Sequence, residues 1–258
     1  MQIVDTHCHL FWESFFDDLP EVIERARNEG VARIIIPSTN LDTYRQSRKI
    51  AGNYNGIHTA VGIHPHDATD VGDEELEEIA RVAERGEACA IGEIGLDYHY
   101  DFCPAEKQRE IFARQLEIAK ATNLPVIIHN RESTADVLAL MREHQDGSLR
   151  GQFHCFDRPP DVAKEVLDLG FHISFTGNVT FKNSRLEDTV GAVPDDRLLV
   201  ETDSPFLTPA PFRGKRNEPS YLRFIVARLA EIRGVDAETV AAVTTRNAES
   251  LFHIPVNG

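Results

Sequence analysis

Two histidines one residue apart end the first apolar run of the chain, Ile-Val-Asp-Thr-His-Cys-His over residues 3–9. Alternate side chains of an extended strand share a face, so the pattern predicts that Asp5, His7 and His9 point one way and Cys8 the other. Two imidazoles on one face at a strand end are half of a divalent-metal site. The rest of the chain must then supply the other half.

Polar residues also interrupt five later apolar runs near their carboxyl-terminal ends. They are His64, Glu93, His129, His154 and Asp203. A single histidine at a strand end is more often a hydrogen-bonded structural residue than a ligand, but the repeated placement favours one shared site. A buried Glu93 or Asp203 is costly without a cation nearby. Four imidazoles and two carboxylates suffice for two divalent ions with open positions for water, and Glu93 is the candidate bridge between them.

Short β-branched runs alternate with helical patterns along the whole chain, which predicts the elements that position these residues. The apolar patterning predicts strands at 2–7, 32–37, 57–63, 88–94, 124–129, 151–155, 171–175 and 197–202. Strands that are apolar on both faces are typical of a buried parallel sheet. Eight strand–helix units predict an α/β fold, a single (β/α)8 TIM-type barrel of residues 1–258 with an extra C-terminal helix over 236–251. A doubly wound open sheet is the alternative, although it usually has fewer strands.

Composition limits the classes of function. The net charge of −15 argues against a general electrostatic affinity for nucleic acid or for anionic membranes. An anionic substrate therefore needs metals or a local basic patch. The beginning of the chain shows no signal-peptide pattern, no apolar run reaches transmembrane length, and four scattered cysteines indicate reduced thiols. We expect a cytoplasmic protein with no membrane association and no evident stable protein partner.

Seven short stretches, in order along nearly the whole chain, make it resemble the TatD-type DNase family of metal-dependent amidohydrolase-like barrels. The stretches are Asp-Thr-His-Cys-His-Leu (5–10), Gly-Ile-His-Pro (62–65), Gly-Glu-Ile-Gly-Leu-Asp-Tyr (92–98), His129, His-Cys-Phe (154–156), Glu-Thr-Asp-Ser-Pro (201–205) and Lys-Arg-Asn-Glu-Pro (215–219). One departure is that Asp157-Arg158-Pro159 replaces the small Ser-Gly-type turn common in the family, which puts the substrate geometry there in question.

The resemblance implies a dinuclear site and hydrolysis of phosphodiester bonds, mostly as a DNA exonuclease. It implies that one metal is held by His7, His9, Glu93 and Asp203, and the mixed imidazole and carboxylate ligands lead us to expect divalent ions of Mg, Zn or Mn type. It implies that the second is held by Glu93, His129 and His154. The expected substrate is DNA, single-stranded or with frayed ends. In the mechanism that we expect, a metal-activated water attacks phosphorus and Asp203, the catalytic base, accepts its proton.

Other residues suit supporting roles, each with a structural alternative. His64 would bind or polarise the scissile phosphate, or else fix a loop. Glu201 would orient a ligand histidine through its second nitrogen, or else pair with a barrel Arg or Lys. We expect His66 to be structural. Basic residues after the eighth strand would clamp a phosphate backbone, and two aromatic residues would stack a base, although a solvated loop and loop core are the commoner fates. These residues are Arg213, Lys215, Arg216, Tyr98 and Phe156.

Three functions are compatible with these patterns. The first is a two-metal phosphodiesterase acting on DNA, with Asp203, Glu93 and His64 as catalytic residues. The second is a metal-dependent hydrolase of an ester or amide bond, such as an aminoacyl ester, in which the same metals polarise a carbonyl. The third is a non-catalytic metal barrel used as a binding module. A retained proton acceptor at Asp203 speaks against the third.

Overall fold

Eight parallel strands form one sheet in the order of the chain, and the sheet curls into a nearly closed barrel. The computed structural model describes residues 1–254, so the end of the predicted domain at 258 lies outside the described residues. The strands are β1 Ile3–Asp5, β2 Val31–Pro37, β3 Ile57–Val61, β4 Ala90–Asp97, β5 Val126–Arg131, β6 Gly151–Phe153, β7 His172–Phe175 and β8 Leu198–Val200. The predicted (β/α)8 TIM-type barrel is confirmed, with strands at all eight predicted places.

The strands are linked by helices on the outside of the barrel and by short 3-10 turns. The helices are α1 Leu19–Asn28, α2 Leu41–Asn53, α3 Asp73–Glu84, α4 Ala105–Thr122, α5 Thr134–His144, α6 Pro160–Asp168, α7 Glu187–Ala192, α8 Leu222–Arg233 and α9 Ala237–Phe252. The 3-10 turns are Glu13–Phe15, Pro65–Asp67, Gly177–Thr180, Asp195–Arg197 and Pro219–Tyr221. Among the described residues, no helix is both long and apolar enough to cross a membrane.

The extra helix α9 closes the amino-terminal end of the barrel. Its residues Ala248, Leu251 and Phe252 pack in one buried cluster with apolar side chains from the lower part of the strands. Those strand residues are Val4, Ile35, Ala60, Ala90, Ile127 and Leu199. The opposite, carboxyl-terminal mouth of the barrel is left for the polar residues, as in other barrels of this architecture.

Several strands end earlier or later than the apolar patterns predict. The ladder of β1 stops at Asp5, that of β3 at Val61 and that of β8 at Val200, whereas β4 continues to Asp97. The predicted common face of Asp5, His7 and His9 is therefore wrong, because strict alternation holds only while the backbone stays in the ladder. The Asp5 carboxylate instead accepts hydrogen bonds from Thr202 Oγ1 (2.6 Å) and Thr202 N (2.9 Å).

Contacts between the ends of β8 and β1 close the barrel. Thr6 N donates to Val200 O (3.3 Å), and Asp203 N donates to His7 O (2.9 Å). Asp5 and Thr202 lie within this seam, and both are fully buried. Burial raises the pKa of Asp5 to about 7 although the Thr202 hydroxyl and backbone amide oppose the rise. The seam fixes His7 and Asp203 relative to each other.

We predict that Thr202→Val lowers the free energy of unfolding by about 1–3 kcal/mol, because a buried carboxylate loses its hydroxyl donor without loss of side-chain volume. Thr202→Ser keeps the hydroxyl and is the matched control, with a smaller expected loss. Urea denaturation of the metal-free proteins measures both. Equal stabilities of the Val and Ser variants would show that the hydroxyl does not hold the seam.

Candidate metal centre

Six side chains converge at the carboxyl-terminal mouth of the barrel, around the buried carboxylate of Glu93 in β4. The other five are His7 and His9 after β1, His129 in β5, His154 after β6 and Asp203 after β8. The register of β4 against β5 shifts between residues 91 and 94, and the Glu93 N–H donates to Ser38 O (2.9 Å). The structure thus brings together all six residues that the sequence predicts as ligands.

One group of donor atoms lies on the Oε2 side of Glu93. His7 Nε2 and His9 Nε2 are 3.0 Å apart and lie 3.2 and 3.6 Å from Glu93 Oε2. Asp203 Oδ1 is 3.6 Å from His7 Nε2 and 3.5 Å from His9 Nε2. Ligand atoms around a tetrahedral zinc with bonds of about 2.0–2.1 Å are about 3.3–3.4 Å apart. The spacing of these four atoms suits one divalent cation.

A second group of donor atoms lies on the Oε1 side of the same carboxylate. His129 Nδ1 is 2.8 Å and His154 Nε2 is 2.9 Å from Glu93 Oε1, and the two ring nitrogens are 3.1 Å apart. This group has three donors and opens into a cavity of about 670 Å³. It could hold a second cation with positions left for water or substrate, and Glu93 is the residue that both groups share.

Protonated imidazoles balance the buried carboxylates when no cation is bound. Burial raises the pKa of Glu93, but neighbouring imidazoles, led by His154 and His7, hold it well below its usual range. Burial lowers the pKa of His154, but Glu93 and Glu201 outweigh it and raise that pKa well above the ordinary value. The pKa of His129 is also raised, against burial, by Asp97 and Glu93. A cation would therefore replace protons on these rings.

Asp97, at the end of β4, contacts the ring nitrogen of His129 that does not face Glu93. Its Oδ2 lies 3.0 Å from His129 Nε2 and 2.9 Å from His66 Nε2. Burial raises the pKa of Asp97, but the two histidines lower it well below its usual range. Asp97 thus fixes the His129 ring with Nδ1 facing Glu93, a role that the sequence reasoning missed. Its spacing of four residues from Glu93 in one strand was the available signal.

Glu201 holds His154 in a similar way. Its Oε1 lies 3.4 Å from His154 Nδ1 and accepts a hydrogen bond from the Cys155 backbone N–H at 2.6 Å. Gln152 Nε2 donates to the other oxygen, at 3.2 Å. These contacts place Glu201 behind a candidate ligand histidine and not beside a barrel Arg or Lys.

His64 differs from the other histidines in its hydrogen bonding. The His66 backbone N–H donates to His64 Nδ1 (3.1 Å), so the neutral ring carries its proton on Nε2. His64 Nε2 faces Glu93 Oε1 at 3.6 Å, close enough for a ligand by distance alone. A protonated nitrogen offers no lone pair to a metal, and the geometry therefore favours a hydrogen-bond donor. His66, expected to be structural, also contacts Asp97 and lines the cavity.

The basic residues of the loop after β8, Arg213, Lys215 and Arg216, do not line the cavity. Arg216 donates to both carboxylate oxygens of Asp18 at 2.7 Å. The Arg213 guanidinium lies over the Phe181 ring at 3.8 Å. Arg131 and Arg158 line the cavity instead, together with Asp157. The loop with Asp157 and Arg158, where the sequence departs from the pattern common in the TatD-type family, therefore borders the site as expected.

The two aromatic residues that the sequence suggests for base stacking are engaged elsewhere. Phe156 is buried in the core at 3% exposure. The Tyr98 hydroxyl donates to Asp136 Oδ2 (2.7 Å) and accepts from Arg109 (3.1 Å). Trp12, Tyr100 and Phe206 line the cavity in their place. The sequence analysis did not identify these three residues, because they lie in loops and no periodic pattern indicates them.

A (β/α)8 barrel with imidazoles and carboxylates clustered at its carboxyl-terminal mouth has the architecture of a metal-dependent hydrolase barrel. Residues 4–253 match the family described as TatD related DNase, and the chain belongs to this family. YabD of Bacillus subtilis, described as an uncharacterized metal-dependent hydrolase, is 44% identical over 98% of this chain and 99% of its own length. A protein of Klebsiella pneumoniae described as the 3'-5' ssDNA/RNA exonuclease TatD is 35% identical over 98% of this chain and 99% of its own.

The solved structures include a similar barrel. The crystal structure of YJJV, a TatD homologue from Escherichia coli, matches with a TM-score of 0.92 and 31% identity and covers 98% of each chain. The fold of the described residues is therefore that of a solved family member.

We predict that His64 stays neutral in metal-free protein at pH 6, with its proton on Nε2. Burial lowers its pKa well below 6.5, and the charge of His129 lowers it further. Long-range ¹H–¹⁵N spectra of the imidazoles report both the charge and the tautomer, and the His64→Gln variant assigns the signal. A His64 resonance that titrates between pH 6 and 7 would contradict this prediction.

Proposed function

We propose that this protein is a divalent-metal-dependent deoxyribonuclease that removes nucleotides from single-stranded DNA or frayed ends. The observation that carries the proposal is the shared carboxylate of Glu93, with a separate group of donor atoms on each of its oxygens. Paired metal sites of this kind suit in-line displacement at phosphorus. The name of the Klebsiella pneumoniae relative, an exonuclease on single-stranded DNA and RNA, supports the same substrate class.

The proposed metal content is two divalent ions per chain, of Mg, Zn or Mn type. His7, His9 and Asp203 would hold one ion, His129 and His154 would hold the other, and Glu93 would contact both. Mixed imidazole and carboxylate donors suit Zn and Mn, and Mg becomes possible where carboxylates and substrate dominate. Bound cations of this kind acidify water and polarise a phosphoryl group.

The chain's own residues have separate tasks in this proposal. Asp203 accepts the proton of the attacking water, because its carboxylate reaches the first donor group and lines the cavity. Burial raises the pKa of Asp203, but His9 and the other imidazoles lower it below its ordinary value, so the group is an ionised carboxylate at neutral pH. The Nε2–H of His64 donates to a phosphoryl oxygen. Asp97 and Glu201 keep His129 and His154 in place.

The cavity would attract an anionic substrate once divalent cations are bound. The net charge of −15 repels DNA from most of the surface. Arg131 and Arg158 line the cavity, and bound divalent cations would add to their charge. The phosphate would therefore be attracted at the mouth of the barrel and not along an extended surface.

We also place the protein in the cytoplasm, since its four cysteines are free thiols.

Hydrolysis of an ester or amide bond, such as an aminoacyl ester, is the second candidate. The acidic surface and the engagement of Arg216 by Asp18 favour it, because a small ester or amide without phosphates needs no extended basic surface. Purified protein with each metal added to the chelated form, tested on single-stranded oligonucleotides and on aminoacyl esters, separates the two. Turnover of esters without turnover of any phosphodiester would overturn the nuclease proposal.

We predict that the purified protein holds two divalent metals per chain. The Glu93→Gln variant should lose part of the metal from each of the two sites. The amide removes the charge that both groups of donors share. His129→Ala should instead empty mainly one site, because His129 contacts only the Oε1 group. Elemental analysis after gel filtration measures the content. Full loading of the Glu93→Gln protein would exclude the bridging role.

We predict that Asp203→Asn reduces hydrolysis by about 10²–10⁴-fold at saturating metal while DNA binding persists. The amide keeps the size of the side chain and one ligating oxygen but cannot take a proton. Asp157→Asn is the matched control, because Asp157 lines the same cavity outside the six-residue cluster. Activity of the Asp203→Asn variant near that of the wild type under these conditions would falsify the assignment of a general base.

A further inference from the structure

Most of the strongly exposed aromatic rings lie at one place, around the mouth of the barrel. Among the described residues, the aromatic side chains exposed by more than a third are Trp12, Phe16, Tyr100, Phe102 and Phe206. All except Phe16 lie beside histidines of the cavity. Clustered apolar groups kept in solvent beside a polar cavity indicate a binding surface.

The four rings form two pairs. Trp12 and Phe206 meet edge to face with centroids 5.6 Å apart, and they lie 6.5 and 6.3 Å from the His9 ring. We call these two residues the first aromatic pair. Tyr100 and Phe102 stack at 5.3 Å with an interplanar angle of 26°, beside the His66 ring at 5.4 and 4.9 Å. They form the second aromatic pair.

The two pairs lie on opposite sides of the donor-atom cluster. Trp12 follows β1 and Phe206 follows β8, whereas Tyr100 and Phe102 follow β4. Strand β4 is half-way around an eight-stranded barrel from β8, because the strands are arranged in chain order. A phosphodiester bound at Glu93 would therefore have one pair on each side.

We propose that the two aromatic pairs stack the nucleobases on either side of the scissile phosphate in a single-stranded substrate. Flat rings bind any base by its π-face, and unpaired bases alone are free to stack in this way. This inference rests on the proposed nuclease function and extends it to the recognition of the bases. Stacking of unpaired bases would account for a preference for single-stranded substrates, although the protein uses no extended basic surface.

The charges beside the rings favour nucleic acid over an apolar peptide. The Arg131 guanidinium lies over the Tyr100 ring, 4.9 Å from its centroid. Arg158 lines the same cavity. A guanidinium group next to a flat ring matches a chain that carries phosphates and flat bases together. An apolar peptide has no use for the positive charge.

The test replaces each pair by leucines, which keep apolar volume and remove the rings. The double variants Trp12→Leu/Phe206→Leu and Tyr100→Leu/Phe102→Leu should each raise KM for oligothymidylate by about 5- to 100-fold, with a smaller change in kcat. Phe16→Leu, an exposed ring outside the cavity, is the control and should leave KM unchanged. An oligonucleotide with abasic residues beside the scissile phosphate should raise the wild-type KM by a similar factor and should show little further loss with the variants.

Binding can be measured without turnover, because Trp12 is the one tryptophan of the sequence. In the Asp203→Asn background with metal, oligothymidylate should quench the Trp12 fluorescence and the fully abasic oligomer should not. Equal quenching by both oligomers, stronger quenching by an apolar peptide, or unchanged KM in both double variants would overturn the stacking inference. Hydrolysis of no phosphodiester by the wild type would overturn the nuclease proposal itself, and the quenching experiment would still decide whether the first aromatic pair binds bases.

Discussion

The chemistry of this protein depends on a carboxylate buried among histidines. Glu93 is 2% exposed, and ring nitrogens of five histidines lie within 3.6 Å of its two oxygens. An isolated carboxylate at such a place would be very costly, so positive charge must accompany it. Without a cation, that charge is carried by protons on the imidazoles. The same arrangement makes the cluster a good receptor for divalent ions, because each ion replaces protons that already compensate the carboxylate.

The barrel gives each of these side chains its place by different means. Strands β4 and β5 continue past the other strands, so that His129 is held within the ladder, whereas Glu93 lies at the irregularity between residues 91 and 94 and is held by the hydrogen bond from its N–H to Ser38 O. Gly95 has a φ of +139° and lies where a Cβ atom would be 2.0 Å from His129 O, so only glycine allows this close pairing. His7, His9 and Asp203 lie beyond their strands and depend on the β8–β1 seam. Asp203 has a φ of +53°, a conformation that costs energy and that the seam must stabilise.

The sequence predicts the architecture and the six clustered residues because both follow from the hydrophobic pattern. Apolar runs show the strands, and polar residues at their ends must meet at one mouth of a parallel barrel. It does not predict correctly which way the Asp5 side chain points, since side chains alternate between the two faces of a sheet only while the backbone stays paired with a neighbouring strand. Nor does it reveal that Arg216 is held by Asp18, which is 198 residues away in the chain. Trp12 and Phe206 were not identified from the sequence for the same reason. Loops have no periodic hydrophobic pattern, and the residues that these two rings contact come from distant parts of the chain.

The two ends of the barrel bear on how an acidic protein would act on the anionic substrate that we propose. Helix α9 seals the lower end with apolar side chains, so the mouth is the only end of the described barrel that carries the chemistry. The net charge of −15 disfavours contact with phosphates over the general surface, and attraction beyond about 10 Å is screened by salt. Positive charge is then useful only close to the scissile bond, where the arginines of the cavity and the cations would lie. On the proposed function, only nucleic-acid segments that enter the mouth would bind, which suits an enzyme that works at strand ends better than one that follows a duplex.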